Sequence, residues 1–190
     1  MKTFTLDTNC IIHVEAKQVF ARHIQALAAA HRSGFANIAL VAVSASEQQL
    51  DYRYMANYEE FTQRVGRLDM SHLPVLKAIA YRDISFWDQA LWADEAMVAR
   101  EKQIHAVLFP TISFSWPEVA AANSINPSEA DRKIYKKWRN SFCDRQMFWA
   151  HDHNRRDVFV SSDKNFKKLV GAAGFPAALV CNPEEAAAMI

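Results

Sequence analysis

Four acidic residues stand where a carboxylate can do chemistry: Asp7 in TFTLDTN, Glu47 in SASEQQ, Asp144 in SFCDRQ and Asp163 in VFVSSDKNF. Asp7 follows the apolar run at 3–6, and Asp163 follows the strand-like Val158-Phe159-Val160. Glu47 comes a few residues after IALVAV (38–43), and Asp144 lies in a helical stretch that leads into the 158–160 strand. Each has a plain structural reading. Ser44 and Glu47 match a capping box, Asp144 suits a helix N-terminus, and Asp7 and Asp163 suit turns or caps. Together they suggest more. Carboxylates crowded at one place raise each other's proton affinity and are tolerated best around a cation. Hard oxygen donors without Cys or His partners suit Mg²⁺ or Mn²⁺.

The elements that must position them follow from periodicity. A strand at 3–6 precedes a helix at about 11–31, with Ile11, Ile12, Val19, Ile24, Leu27 and Ala28 as its apolar stripe. A strand at 38–43 leads into a helix that starts at Ser44 and runs through Leu50, Tyr54, Tyr58 and Phe61. VLKAIAY (75–81) reads as a strand and 88–103 as a helix. Asn126-Pro127-Ser128-Glu129 starts a further helix that bends near Asn140-Ser141 and ends near 153. A strand at 158–160, a helix at about 164–171, a strand at 178–180 and a tail helix capped by Asn182 complete the order. Strands separated by helices predict a three-layer α/β/α sandwich with a mainly parallel sheet, which binds ligands at the carboxyl ends of its strands. That places all four acids on one rim. One domain spans 1–190, with a helical elaboration at about 66–135.

Composition excludes several classes. At 51% hydrophobic and 23% charged the chain is globular rather than disordered. No apolar segment is long enough for a bilayer span, and no signal-peptide pattern is present. Cys10, Cys143 and Cys181 have no CxxC spacing and read as reduced core thiols, so the expected location is cytoplasmic. The net charge of +1 hides an asymmetry: 11 Lys+Arg against 14 Asp+Glu in 1–129, 11 against 5 in 130–170, and none against 2 in 171–190. The basic stretch is a solvated face or a polyanion contact.

The D-T-N after the first strand, S-x-S-E after the second, D-x-x-x-x-x-A-H in the long helix and S-S-D-x-N-F after the 158–160 strand resemble the PIN-domain nucleases, which include toxin ribonucleases of toxin–antitoxin pairs. The likeness covers 3–13, 38–50, 141–152 and 158–168; 66–135 departs from it. It implies cleavage of single-stranded RNA by metal-activated water, with Mg²⁺ or Mn²⁺ held by Asp7, Asp144 and Asp163, and Glu47 serving the water. Asn9, Ser162 and Asn165 fall where that family places polar helpers. Arg145 and Lys164 are the nearest basic residues for nucleic acid. An antitoxin protein and a second copy of the chain are the further partners it implies, with no membrane.

Three other readings compete. A haloacid-dehalogenase-like phosphatase needs an acid two positions after the first, and position 9 is Asn. His151-Asp152-His153 suggests an HD-type phosphohydrolase without telling partners elsewhere. A non-catalytic PIN-like module that binds RNA or protein is the remaining alternative.

Overall fold

The computed structural model describes residues 1–49, 53–127 and 132–190. Leu50, Ser128 and Glu129, which the sequence reading assigns to helices, lie outside them. Five parallel strands form the central sheet: β1 (Thr3–Leu6), β2 (Asn37–Val41), β3 (Val75–Leu76), β6 (Val158–Val160) and β7 (Val180–Cys181), in the order β3-β2-β1-β6-β7. β4 (Ala78–Ile79) and β5 (Ala90–Leu91) make a separate two-stranded parallel pair. β1 is central, pairing Phe4 with Ile38 on one side and with Val158 on the other. The expected sandwich is observed.

Side-chain alternation divides the core. Phe4, Leu6, Ile38, Leu40, Val158 and Val160 face a layer built from α1 (Thr8–Glu15), α2 (Ala21–Arg32), α3 (Tyr58–Arg67) and α7 (Pro183–Ala187). Val41, Phe159 and Val180 face the opposite layer of α4 (Glu95–Leu108) and α6 (Arg132–His153), which contributes Trp138, Phe142, Met147 and Phe148. Helices on both faces explain why the strands read as unbroken apolar runs. A seventh helix, α5 (Trp116–Ala122), carries a complete capping box between Ser115 and Glu118. All three cysteines are buried and free. Among the described residues no helix is long and apolar enough to cross a membrane.

Several expectations are corrected. The single helix at 11–31 is two, because Lys17 adopts a left-handed φ of 50° and turns the chain after α1. Val19 falls in that turn and is exposed. No helix begins at Ser44. Residues 42–46 form a buried 3-10 turn, Glu47 is extended, and α3 starts only at Tyr58. The 75–81 strand is divided between two sheets. The helix expected at 164–171 is a 3-10 segment, Lys164–Leu169. The expected bend at Asn140-Ser141 is absent: α6 is continuous, and Ser141 satisfies its hydroxyl by donating to Trp138 O at 2.7 Å.

Candidate active site

The carboxyl edge of the sheet has its switch point between β1 and β6, the place where open α/β sheets bind ligands. Asp7 and Asp163 flank it. The ladder reaches Asp7, whose N–H donates to Val160 O at 3.0 Å. Strand alternation puts Asp7 on the same face as Thr5, and Thr5 meets α6 through His151 (Oγ1 to Nδ1, 3.0 Å). Asp144 is nine residues before His153, the end of α6. It therefore rises about 14 Å from the helix end at ~1.5 Å per residue. Asp144 lies within the electrostatic reach of Glu47, Asp7 and Asp163, although none of them is near it in sequence.

Asp7 caps α1 and is almost fully buried. Its Oδ1 accepts from Thr8 N at 2.8 Å, and its Oδ2 accepts from Ser161 Oγ at 2.6 Å and Asn9 Nδ2 at 2.9 Å. Asp163 caps the following 3-10 segment by accepting from Asn165 N at 2.8 Å, and its own N–H donates to Ser161 Oγ at 2.9 Å. Ser161 thus ties the two acids together. Glu47 accepts from Thr8 Oγ1 at 2.8 Å, and Ser44 Oγ lies 2.9 Å from the same hydroxyl. Arg139 of α6 fixes this arm by donating to Ser46 O at 3.1 and 2.9 Å. The Ser44–Glu47 pair is therefore not a capping box; both residues turn towards α1.

Electrostatics show that the four carboxylates share one field. Burial, and then Asp163 nearby, lift the Asp7 acid to about 6. Burial, with Asp7 close by, lifts Glu47 to about 8. Asp144 is driven upward by burial and by Glu47, Asp7 and Asp163 in turn. Among the described residues no lysine or arginine forms an ion pair with any of the four. Asp144 accepts no hydrogen bond from them either. Among the described residues, a cluster of one buried and three half-buried acids with no directly paired lysine or arginine fits Mg²⁺ or Mn²⁺ in donor chemistry. It is not a preformed cage: among the described residues no three His, Cys, Asp or Glu side chains stand close enough to hold a metal ion as placed. Clefts of about 530, 400 and 280 Å³ lie elsewhere on the surface.

A raised carboxyl lowers stability as pH climbs. Between an acid's unfolded value and its folded one, the folded state holds the proton that the unfolded state has released. The metal-free protein should therefore lose stability from about pH 4 to about pH 8, the window set by Asp7 and Glu47. For Asp7, about 6 against 3.8 amounts to about 3 kcal/mol. Glu47→Gln keeps the acceptor for Thr8 and removes the charge. Chemical denaturation in EDTA should find this variant more stable than wild type by about 1–3 kcal/mol at pH 8, with the difference gone at pH 4. Equal stability at pH 8 would show that Glu47 ionises freely.

Of the expected helpers, Asn9 touches Asp7 directly and Asn165 reaches Asp163 through its backbone. Ser162 instead pairs with His13 (Oγ to Nε2, 3.1 Å), extending the rim along α1. The residue sequence reasoning missed is Ser161, with Thr8 beside it; the period-2 alternation that sets Phe159 and Ser161 on the Asp7 face is the signal that finds it. Lys164 is exposed next to Asp163. Arg145 is corrected. It is 1% exposed and bound to the fully buried Glu101, so it presents no surface to nucleic acid. Other cations of the basic stretch are also structural: Arg139 holds Ser46 O, Arg156 holds Phe4 O and Asn37 O, and Lys168 holds Leu108 O. The His151-Asp152-His153 triplet does three separate things. His151 bonds Thr5, Asp152 pairs with Arg100 at 2.7 Å, and His153 stacks on Trp149. That removes the basis for an HD-type site.

A search with the sequence finds no matching family model and no matching curated protein.

Proposed function

We propose that the chain is a metal-dependent endoribonuclease that hydrolyses phosphodiester bonds of single-stranded RNA. The observation that carries this reading is that Asp7, Glu47, Asp144 and Asp163, from four separate parts of the chain, share one acidic field at the carboxyl edge of the sheet, with Asp7 buried and the other three half-buried. Asp7, Asp144 and Asp163 would hold Mg²⁺ or Mn²⁺, which when bound supplies an activated water and neutralises charge on the scissile phosphate. Glu47, lifted to about 8, has the proton affinity of a base working near neutral pH and takes the proton from the attacking water. Thr8 orients Glu47, and Ser161 and Asn9 orient Asp7. Lys164 holds the RNA backbone without reading bases. The resemblance to PIN-domain toxins adds a cytoplasmic setting, an antitoxin protein and a second copy of the chain as partners to the same proposal.

End-labelled single-stranded RNA incubated with the purified protein should be cut in Mg²⁺ or Mn²⁺ and left intact in EDTA, leaving 5′-phosphate and 3′-hydroxyl ends. A parallel single-stranded DNA substrate distinguishes the nucleic acid. The hydrogen bonds that already occupy both Asp7 oxygens leave them fewer lone pairs for a metal and favour one second reading, a non-catalytic PIN-like module that binds RNA or protein. Calorimetry that finds no divalent-metal binding, with both nucleic acids left uncut, would favour it.

A further inference from the structure

Two tryptophans that the acid site does not use stand in the open. Trp92 is 84% exposed and Trp87 54%, and their rings stack with centroids 5.5 Å apart at 30°. Exposed apolar residues scattered singly are ordinary, but a stacked tryptophan pair marks a contact surface. The pair bounds an open cleft of about 400 Å³ whose other lining residues are Ala80, Asp88 and Ala90. β4 and β5 hold its floor rigid through Ala80 N to Leu91 O at 2.8 Å, and Ile79 N is anchored to Gln146 Oε1 of α6 at 3.0 Å. Phe86, next to Trp87, packs into the core against Tyr58. The platform is therefore fixed to the fold.

Charge decides what it receives. From Asp83 to Glu95 the chain carries four acids (Asp83, Asp88, Asp94 and Glu95), all exposed, and no lysine or arginine, with exposed Lys77 and Arg82 just before it. Stacking platforms for unpaired bases sit in positively charged grooves. The charged residue that lines this one is Asp88, an acid, so the cleft lacks the lining cations that would hold a phosphate backbone where the bases would stack. The same charge suits a cation. A guanidinium or ammonium over an indole face is attracted by the ring, and Asp88 supplies the counter-charge at the cleft's edge. We propose that Trp87, Trp92 and Asp88 form a docking site for a basic segment of a partner polypeptide, receiving an arginine or lysine side chain against the tryptophan pair. The inference is independent of the nuclease reading.

Calorimetric titration of the full chain with a synthetic Arg/Ala peptide tests it, with a Glu/Ala peptide and single-stranded oligouridine as further probes. Expected are binding of the Arg peptide alone, weakening as salt rises, and a loss of about tenfold in Trp92→Ala and Asp88→Asn. Trp92→Phe should retain part of the affinity, and unchanged thermal melting of the variants shows that the fold is kept. No binding of the Arg peptide, or binding equal in wild type and Trp92→Ala, overturns the proposal. So does oligouridine binding that Trp92→Ala abolishes, which would make the pair a base-stacking platform. A dimer of the free chain that Trp92→Ala dissociates would also overturn it, assigning the face to a second copy.

Discussion

Asp7→Asn should lower metal-dependent RNA cleavage at least about 10²–10³-fold while leaving the protein folded, the scale on which one group stabilising transition-state charge counts. Asp7 is the hub of the site. It is buried, held by Thr8, Asn9 and Ser161, and coupled electrostatically to Glu47, Asp144 and Asp163. The amide preserves the carboxylate's shape but removes the charge, and it sets its NH₂ against either the Thr8 N–H or the Asn9 and Ser161 donors. Its folding cost is small because the native acid, lifted to about 6, already pays to ionise at neutral pH. Thermal melting in EDTA should therefore show Asp7→Asn close to wild type, and added Mg²⁺ or Mn²⁺ should stabilise it less. Asp163→Asn should behave alike. Single-turnover rates equal to wild type in either variant would end the nuclease assignment.

Arg145→Met should destabilise the fold by about 3–5 kcal/mol, the cost of stranding a buried charge. Arg145 Nε donates to Glu101 Oε1 at 2.6 Å, and both side chains are inaccessible to solvent. The other Glu101 oxygen accepts from Tyr81 OH at 2.5 Å. His105, lowered first by burial, directs Nε2–H to Ile112 O at 2.6 Å, which leaves Nδ1 to accept from Arg145 at 3.3 Å. The guanidinium also stacks 4.1 Å from the Phe114 ring and 4.8 Å from that of Phe142. Removing the cation leaves Glu101 charged in an apolar layer. Replacing both partners, Glu101→Met with Arg145→Met, should recover most of the loss. Urea denaturation curves measure both. A single-variant cost under about 1 kcal/mol would show that water or a neighbouring cation reaches Glu101.

The strands of the central sheet were readable because burial on both faces writes them as short apolar runs; Thr3–Leu6 and Val158–Val160 fall where the pattern places them. The approach of the four acids follows from parallel topology once those strands are placed. Other features depend on contacts a local pattern does not contain. Lys17 has no turn-forming side chain, yet it ends α1 in a left-handed conformation. Ser44-Ala-Ser-Glu47 has the spacing of a helix start. Its competitors are Thr8, 36 residues away, and Arg139, 93 residues from the Ser46 carbonyl it holds. Arg145 reads as basic surface in one dimension because Glu101, its partner, lies 44 residues earlier on another helix. Ser161 rather than Ser162 contacts Asp7 because the β6 alternation continues one residue past the strand's apolar run.

The central position of β1 has a consequence for biosynthesis. β1 leaves the ribosome before both of its neighbours; it finds one at 37–41 and must await the other until 158–160 has been translated. Until then one of its edges is unpaired, a state of high contact order that folds slowly and exposes the nascent chain to aggregation. Asp163 arrives later still. A chain that stops short of residue 163 therefore lacks one of the four acids, and the acidic rim is complete only after that residue has been made.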